Sequence, residues 1–345
     1  MTNRIDAITL ADAAGEPEHV AGAPVVAYPV VDQLLAEERK RRARRRRLGP
    51  GVKAAVLLIT FVLGLGSGYL LWGNTPEVQA QKLERTRAAL AKQVNPDAGF
   101  ELPVSYKDLG PQLIATGAID EAQFVKLYES KGKPLTEDQF RILHETVDGH
   151  IRIDKANSDF LLNFFWAVGL VNKNPVLEAG EMVRDGRDKV GNFASTGGWT
   201  LGTKSATELY SSAELMKLTP EQQARVEEVS KNAYRPCCGN STHFPDCNHG
   251  MALLGLLELM ASQDATVDQM YTAAKQVNAF WFPDQMLEVA TYFQAVEGKD
   301  FIAVNAKEVV SDKYFSGNGF RQTHQALVAK GLLPQQPSGG QSCAV

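Results

Sequence analysis

The sequence predicts an all-α protein, a helical extracytoplasmic domain tethered by one N-terminal transmembrane helix. Three observations carry this. Residues 54–72 (AAVLLITFVLGLGSGYLLW) run nineteen positions without a charge, long enough to cross the hydrocarbon core as a helix. Beyond residue 96, helix-start signals recur along the chain. No long run alternates apolar and polar residues at strand period; the best strand candidate is the short stretch IRID at 151–154.

Residues 1–38 mix Ala, Gly, Pro and acidic side chains with little periodicity, and read as a disordered cytoplasmic tail. The juxtamembrane segment 39–53 contains RKRRARRRR, eight positive charges in nine residues. The bias of Lys and Arg towards the cytoplasmic flank puts the N-terminus inside and everything after Trp72 outside. The chain thus reads as a single-pass protein of the cell membrane. The basic run also lies where it meets anionic headgroups, so the lipid bilayer is its expected partner. A competing reading makes 54–72 a buried core helix and the basic run a nucleic-acid patch, but a soluble helix rarely lacks every charge and amide over this length. Val78-Gln79-Ala80 resembles a cleavage site. A signal peptide, however, has an apolar segment of only about 7–15 residues. An uncleaved anchor is expected.

Charge divides at the same place. Up to Lys53 there are ten Lys and Arg against seven Asp and Glu, a net of +3; the remainder holds 26 against 33, a net of −7. A mildly acidic outer part argues against nucleic acid as a partner, since phosphate contacts need clustered cations.

Within residues 73–95, QAQKLERTRAALAKQV (79–94) is amphipathic and polar, a helical stalk. Residues 96–333 form the helical domain. Asp120 opens EAQFVKLY; Thr136 with Gln139, Thr219 with Gln222 and Thr266 with Gln269 are capping boxes, the second with Pro220 at the first helical position. Residues 160–171 and 251–260 are apolar almost all round, which marks central buried helices. Phe280, Trp281, Phe282, Tyr292 and Phe293 add aromatic bulk to the same core. The Gly-rich run FASTGGWTLG at 193–202 lacks the Lys-Ser/Thr of a phosphate-binding P-loop and follows no strand, so it reads as a structural turn around Trp199. Residues 334–345, which include Cys343, read as a flexible tail.

The chemistry concentrates in the loop 237–249. Cys237, Cys238, Cys247 and His249 fall within thirteen positions, with His243 among them, in the run RPCCGNSTHFPDCNHG. Thiolates and imidazoles together suit Zn²⁺ or copper, and a short loop brings them to one point at little entropic cost. The spacing C-C-x8-C-x-H matches no zinc-finger, ferredoxin or c-type haem pattern. Pro236 and Pro245 stiffen the loop, and Gly239 permits a tight turn. Asp246 is the expected N-cap and an acceptor for a ligating imidazole, while the helix start favours the Cys247 thiolate. The reading is a membrane-anchored extracytoplasmic metal-binding protein, holding Zn or Cu for homeostasis or for delivery to a membrane or metal-carrying partner.

Two other readings compete. A disulfide from Cys237 or Cys238 to Cys247 would staple an outside domain of structural or thiol-redox role, worth about 2–3 kcal/mol, and leave the spare cysteine to Cys343. It does not explain the histidines. Alternatively Cys247 is the nucleophile of a cysteine hydrolase, activated at a helix start as in papain-type peptidases. The strand-rich half that carries the base in those enzymes is missing, and only His324 follows His249. His144 and His150 are spaced i+6, which no zincin helix uses, and His144 reads as a helix-surface or core residue.

Overall fold

The structure, a computed structural model, describes residues 29–45, 49–72 and 75–333. Of the tails expected at 1–38 and 334–345, residues 1–28 and 334–345, Cys343 among them, lie outside the described residues. The chain divides into two units, one ending at Thr75 and one starting at Pro76.

In the first unit, helix α1 (Pro29–Arg45) takes in residues 29–38, which the sequence reading assigns to a disordered tail. Its composition explains the difference. Leu, Ala, Glu, Lys and Arg are strong helix formers, proline stands at the first helical position, and Asp32 meets the positive end of the dipole. Helix α2 (Pro50–Trp72) is long and apolar enough to cross a membrane, with a mean hydropathy of 1.8 over 50–69. Leu57, Leu58, Phe61 and Leu63 all face outward. The aliphatic hydroxyls of Thr60 and Ser67 bond back to their own helix, Thr60 Oγ1 to the Val56 carbonyl at 2.9 Å and Ser67 Oγ to the Leu63 carbonyl at 2.6 Å.

The second unit is mostly helical but not purely so. Helix α3 (Pro76–Val94) covers most of the segment 73–95 expected as a helical stalk, and its last turns bury Leu90 and Val94 in the domain, with Asn95 Nδ2 donating to the Ala279 carbonyl at 2.7 Å. Strand β1 (Phe100–Lys107) pairs antiparallel with β2 (Val147–Ile153), with Leu102 opposite Ile151. The second strand covers most of the IRID stretch. The first was not expected, although Phe100, Leu102, Val104 and Tyr106 alternate with Glu101, Pro103, Ser105 and Lys107. Pro103 has no N–H to give, and the register shifts between Leu102 and Ser105.

Helices α4 (Leu109–Thr116), α5 (Glu121–Ser130) and α6 (Glu137–His144) follow β1, and α7 (Ser158–Val171) follows β2. Single turns α8 (Pro175–Glu178), α9 (Ala194–Gly197) and α10 (Ala206–Leu209) fold the next stretch over the core. Trp199 is buried there, its Nε1 donating to the Ala118 carbonyl at 2.9 Å and its ring edge-on to Trp166 at 5.0 Å. The Gly-rich run is thus a structural turn. Helices α11 (Pro220–Asn232), α12 (Asn248–Ser262), α13 (Val267–Trp281) and α14 (Pro283–Ala295) form the second half, with short turns α15 (Ala306–Val309) and α16 (Asp312–Phe315) before α17 (Gly317–Ala329). Asp120, Thr136, Thr219 and Thr266 all cap as expected, the last three as reciprocal boxes.

Helices α7 and α12 are buried almost throughout and make the centre of the main core. They cross at Gly169 and Gly255, where an added Cβ would collide with the Met251 and Phe165 carbonyls. A smaller cluster gathers Leu90, Val94, Phe282, Met286, Phe293, Phe301 and Phe315. The Cys/His loop, between α11 and α12, touches both: Phe244 packs on the main core and Cys237 on the smaller cluster.

Candidate metal centre

The loop is tied down by backbone bonds from several directions. Tyr234 N–H donates to Val310 O, Thr242 N–H to Ala233 O, His243 N–H to Ser230 O, Gly317 N–H to Cys238 O, and Ser195 N–H to Asp246 O. Rigid neighbours therefore fix where Cys237, Cys238 and Cys247 point.

Two donor groups result, and they share one sulfur. Cys237, Cys247 and His249 have their ligand atoms within 4.8 Å of one another, close enough to hold a metal ion; Cys238, Asp246 and Cys247 form the other group. The Cys237 and Cys247 sulfurs are 3.6 Å apart, and all three thiols of the loop are free. A disulfide would need about 2.05 Å, whereas two thiolates at about 2.3 Å from one tetrahedral ion stand about 3.8 Å apart. The observed spacing is close to that of shared ligands.

His249 sits in the first turn of α12, its ring tilted against Phe282 at 4.4 Å and near Trp281. Burial pushes its pKa from the ordinary 6.5 down to about 4, more than the neighbouring Cys247 restores. The ring is neutral at physiological pH, as a ligand must be. Its Nδ1 lies 2.8 Å from Asn248 Oδ1, and donation to that oxygen leaves the lone pair on Nε2. Asn248, then, orients the imidazole.

Asp246 has a different task from the one expected. The N-cap of α12 is Cys247 itself, and Asp246 pairs with Arg235 and accepts from Asn240 Nδ2 at 2.8 Å. Arg235 is the residue that the sequence reading missed. Its side chain is 1% exposed, with Nε donating to Cys247 Sγ at 2.9 Å, Nη1 to Asn240 O at 3.0 Å and Nη2 to Phe244 O at 3.1 Å. A visible signal was Gly250, a helix-interior glycine that costs about 1 kcal/mol against alanine and so implies a packing reason. A Cβ there would lie 2.5 Å from the guanidinium carbon.

The electrostatics follow. Cys247 is held well below the ordinary thiol range, first by hydrogen bonds from Cys237 and Cys238 and further by Arg235. Cys237 is pushed up, mainly through its bonds to Cys238 and Cys247. At Cys238 the bond from Cys237 lowers the pKa, its bond to Cys247 and burial raise it, and the balance lies at about 11. Among the three sulfurs, Cys247 is thus the one whose anionic form the site favours, beside the buried guanidinium of Arg235. Burial opposes the Arg235 charge, but Cys247, the other thiols and Asp246 more than restore it.

His243 does not join either group; its half-buried ring faces Lys231, Glu227 and Glu181, with burial lowering its pKa. His324 pairs with Glu288 across α14 and α17 at 2.8 Å. His144 and His150 bond Glu121 and Glu101 on separate elements. Comparison with known proteins returns no match to a family model, a curated protein or a solved structure.

Proposed function

We propose that this is a membrane-anchored metal-binding protein in which Cys237, Cys247 and His249 hold one exchangeable ion, Zn²⁺ foremost and copper as the alternative. The observation that carries the reading is the convergence of two sulfurs and a neutral imidazole within 4.8 Å. Two thiolates and an imidazole neutralise a divalent ion, and Arg235 with Asp246 adds no net charge beside it. In a buried site that balance matters, because an uncompensated charge costs several kcal/mol. Three protein ligands leave a fourth position open, whereas structural zinc sites fill all four. An open position suits an ion that is passed on, hence metal homeostasis or delivery. The apolar α2 and its basic flank support a single-span anchor with the N-terminus in the cytoplasm and the metal domain outside.

A thiol-redox role is favoured by one observation, the free Cys237 and Cys247 sulfurs only 3.6 Å apart. The hydrolase reading is weaker, since Cys247 is 8% exposed and its sulfur is turned onto Arg235 and Cys237.

Elemental analysis of the chain purified in detergent under reduction, with a thiol count, separates these readings. One Zn or Cu per chain, lost in Cys247→Ser and in His249→Ala but kept in His243→Ala, is the expected result. No metal together with a blocked Cys237–Cys247 pair would replace it with the redox reading. Protease added outside spheroplasts should digest the domain and spare an N-terminal tag; the reverse would refute the orientation.

A further inference from the structure

The five donors of the loop do not close into one group. Cys237 and His249 stand with Cys247 on one side, Cys238 and Asp246 with Cys247 on the other. An ion held by the first group therefore leaves Cys238 as a spare thiolate-forming ligand one shared sulfur away.

Its surroundings differ from those of the shared sulfur, for Cys238, like Cys237, is partly exposed. Cys247 is buried, but Cys238 adjoins the exposed Gly239, where an added Cβ would meet nothing within 4 Å. Solvent thus lies beside Cys238. Its sulfur is 3.7 Å from Asp246 Oδ1 and 3.9 Å from the Asn240 carbonyl oxygen, both hard oxygen donors that accept an ion still carrying water. The Asp246 side chain is 23% exposed, so it too has a wet edge. The Cys238 backbone is pinned by Gly317 N–H at 2.6 Å, which holds the thiol at the rim without letting it swing away.

Resting on the metal reading above, we propose that Cys238, Asp246 and Cys247 form a second, transient metal site, through which the ion reaches and leaves Cys237, Cys247 and His249. The bond to Cys247 persists throughout. On the inward step the ion's bonds to Cys238 Sγ and the Asp246 carboxylate break, bonds to Cys237 Sγ and the His249 nitrogen form, and the proton shed by Cys237 goes to Cys238. The outward step reverses each change. Exchange by this route never strips the ion of all its thiolates, which is what a carrier that gives up a tightly held metal requires.

The test uses the full chain in detergent, reduced and loaded with Zn²⁺, and follows transfer to a chromogenic chelator by stopped flow. Cys238→Ser should still bind one Zn²⁺ with a Kd within about threefold of the unaltered chain. It should load and release at least about tenfold more slowly. Cys237→Ser and His249→Ala should instead lose affinity. If Cys238→Ser weakens binding as much as Cys247→Ser, Cys238 is a permanent ligand and the relay is wrong. Unchanged rates, or two ions held at once on one chain, overturn it equally. An unaltered chain that binds no Zn²⁺ brings down the underlying metal reading, a result distinct from each of these.

Discussion

Replacing Arg235 with methionine should be among the most damaging single changes outside the central helices. The guanidinium is buried and makes bonds to Cys247 Sγ, Asn240 O, Phe244 O and Asp246. Methionine fills much of the same stem but satisfies none of them. Breaking a buried ion pair by removing one partner costs about 3–5 kcal/mol, and each carbonyl left unmet adds about 1 kcal/mol or more. Asp246 recovers some hydration because it is 23% exposed, and Cys247 can take up a proton. A net loss of about 4 kcal/mol is the resulting figure, or a Tm lower by about 10 °C in a domain of this size. Thermal unfolding of the reduced, metal-free protein followed by circular dichroism measures it. Iodoacetamide should also modify Cys247 more slowly in the variant at neutral pH, since the thiolate loses its cation. Arg235→Lys should fall between, keeping the charge but not the fork of donors. A loss below about 1 kcal/mol for Arg235→Met would refute the role given to the buried charge.

Gly250→Ala should destabilise the protein although alanine favours helix by about 1 kcal/mol, because the methyl displaces the guanidinium; a stabilised variant in the same melt would contradict the packing. The metal-free protein should lose stability as pH falls from 6.5 towards 4, since only the unfolded chain then protonates His249 readily, with a slope up to about 1.4 kcal/mol per pH unit; His249→Phe should flatten that part of the urea-derived profile. Leu254→Asp or Phe165→Asp should cost several kcal/mol by placing an unpaired charge at a fully buried position, and a folded variant with an unshifted denaturation midpoint would contradict the core. Thr266→Ala, which removes a reciprocal cap, should cost about 1 kcal/mol in the same assay.

The helices were legible because their signals are local. Thr136, Thr219 and Thr266 sit three residues before the glutamines that close their boxes, and 160–171 and 251–260 show burial by lacking a polar face. Strand β1 was missed although residues 100–107 alternate at period two, because Pro103 interrupts the run, and the register shifts beside it. The inward turn of α3 was hidden, since Leu90 and Val94 become core residues only through α14, nearly two hundred residues later. At the site, proximity in sequence pointed to Cys237, Cys247 and His249, whose ligand atoms the fold brings within 4.8 Å. His243 stands in neither donor group, its backbone tied to Ser230 and its pKa lowered by burial. The role of Asp246 was misread because a helix start suggests capping, while the deciding partner, Arg235, reaches it across the loop.

The most direct test of a metal centre on Cys237, Cys247 and His249 is X-ray absorption at the metal edge of the Zn²⁺-loaded chain. The expected first shell has two sulfurs at about 2.3 Å, an imidazole nitrogen at about 2.0 Å and one light atom from solvent. A shell with three sulfurs, or one with no sulfur at all, would contradict it.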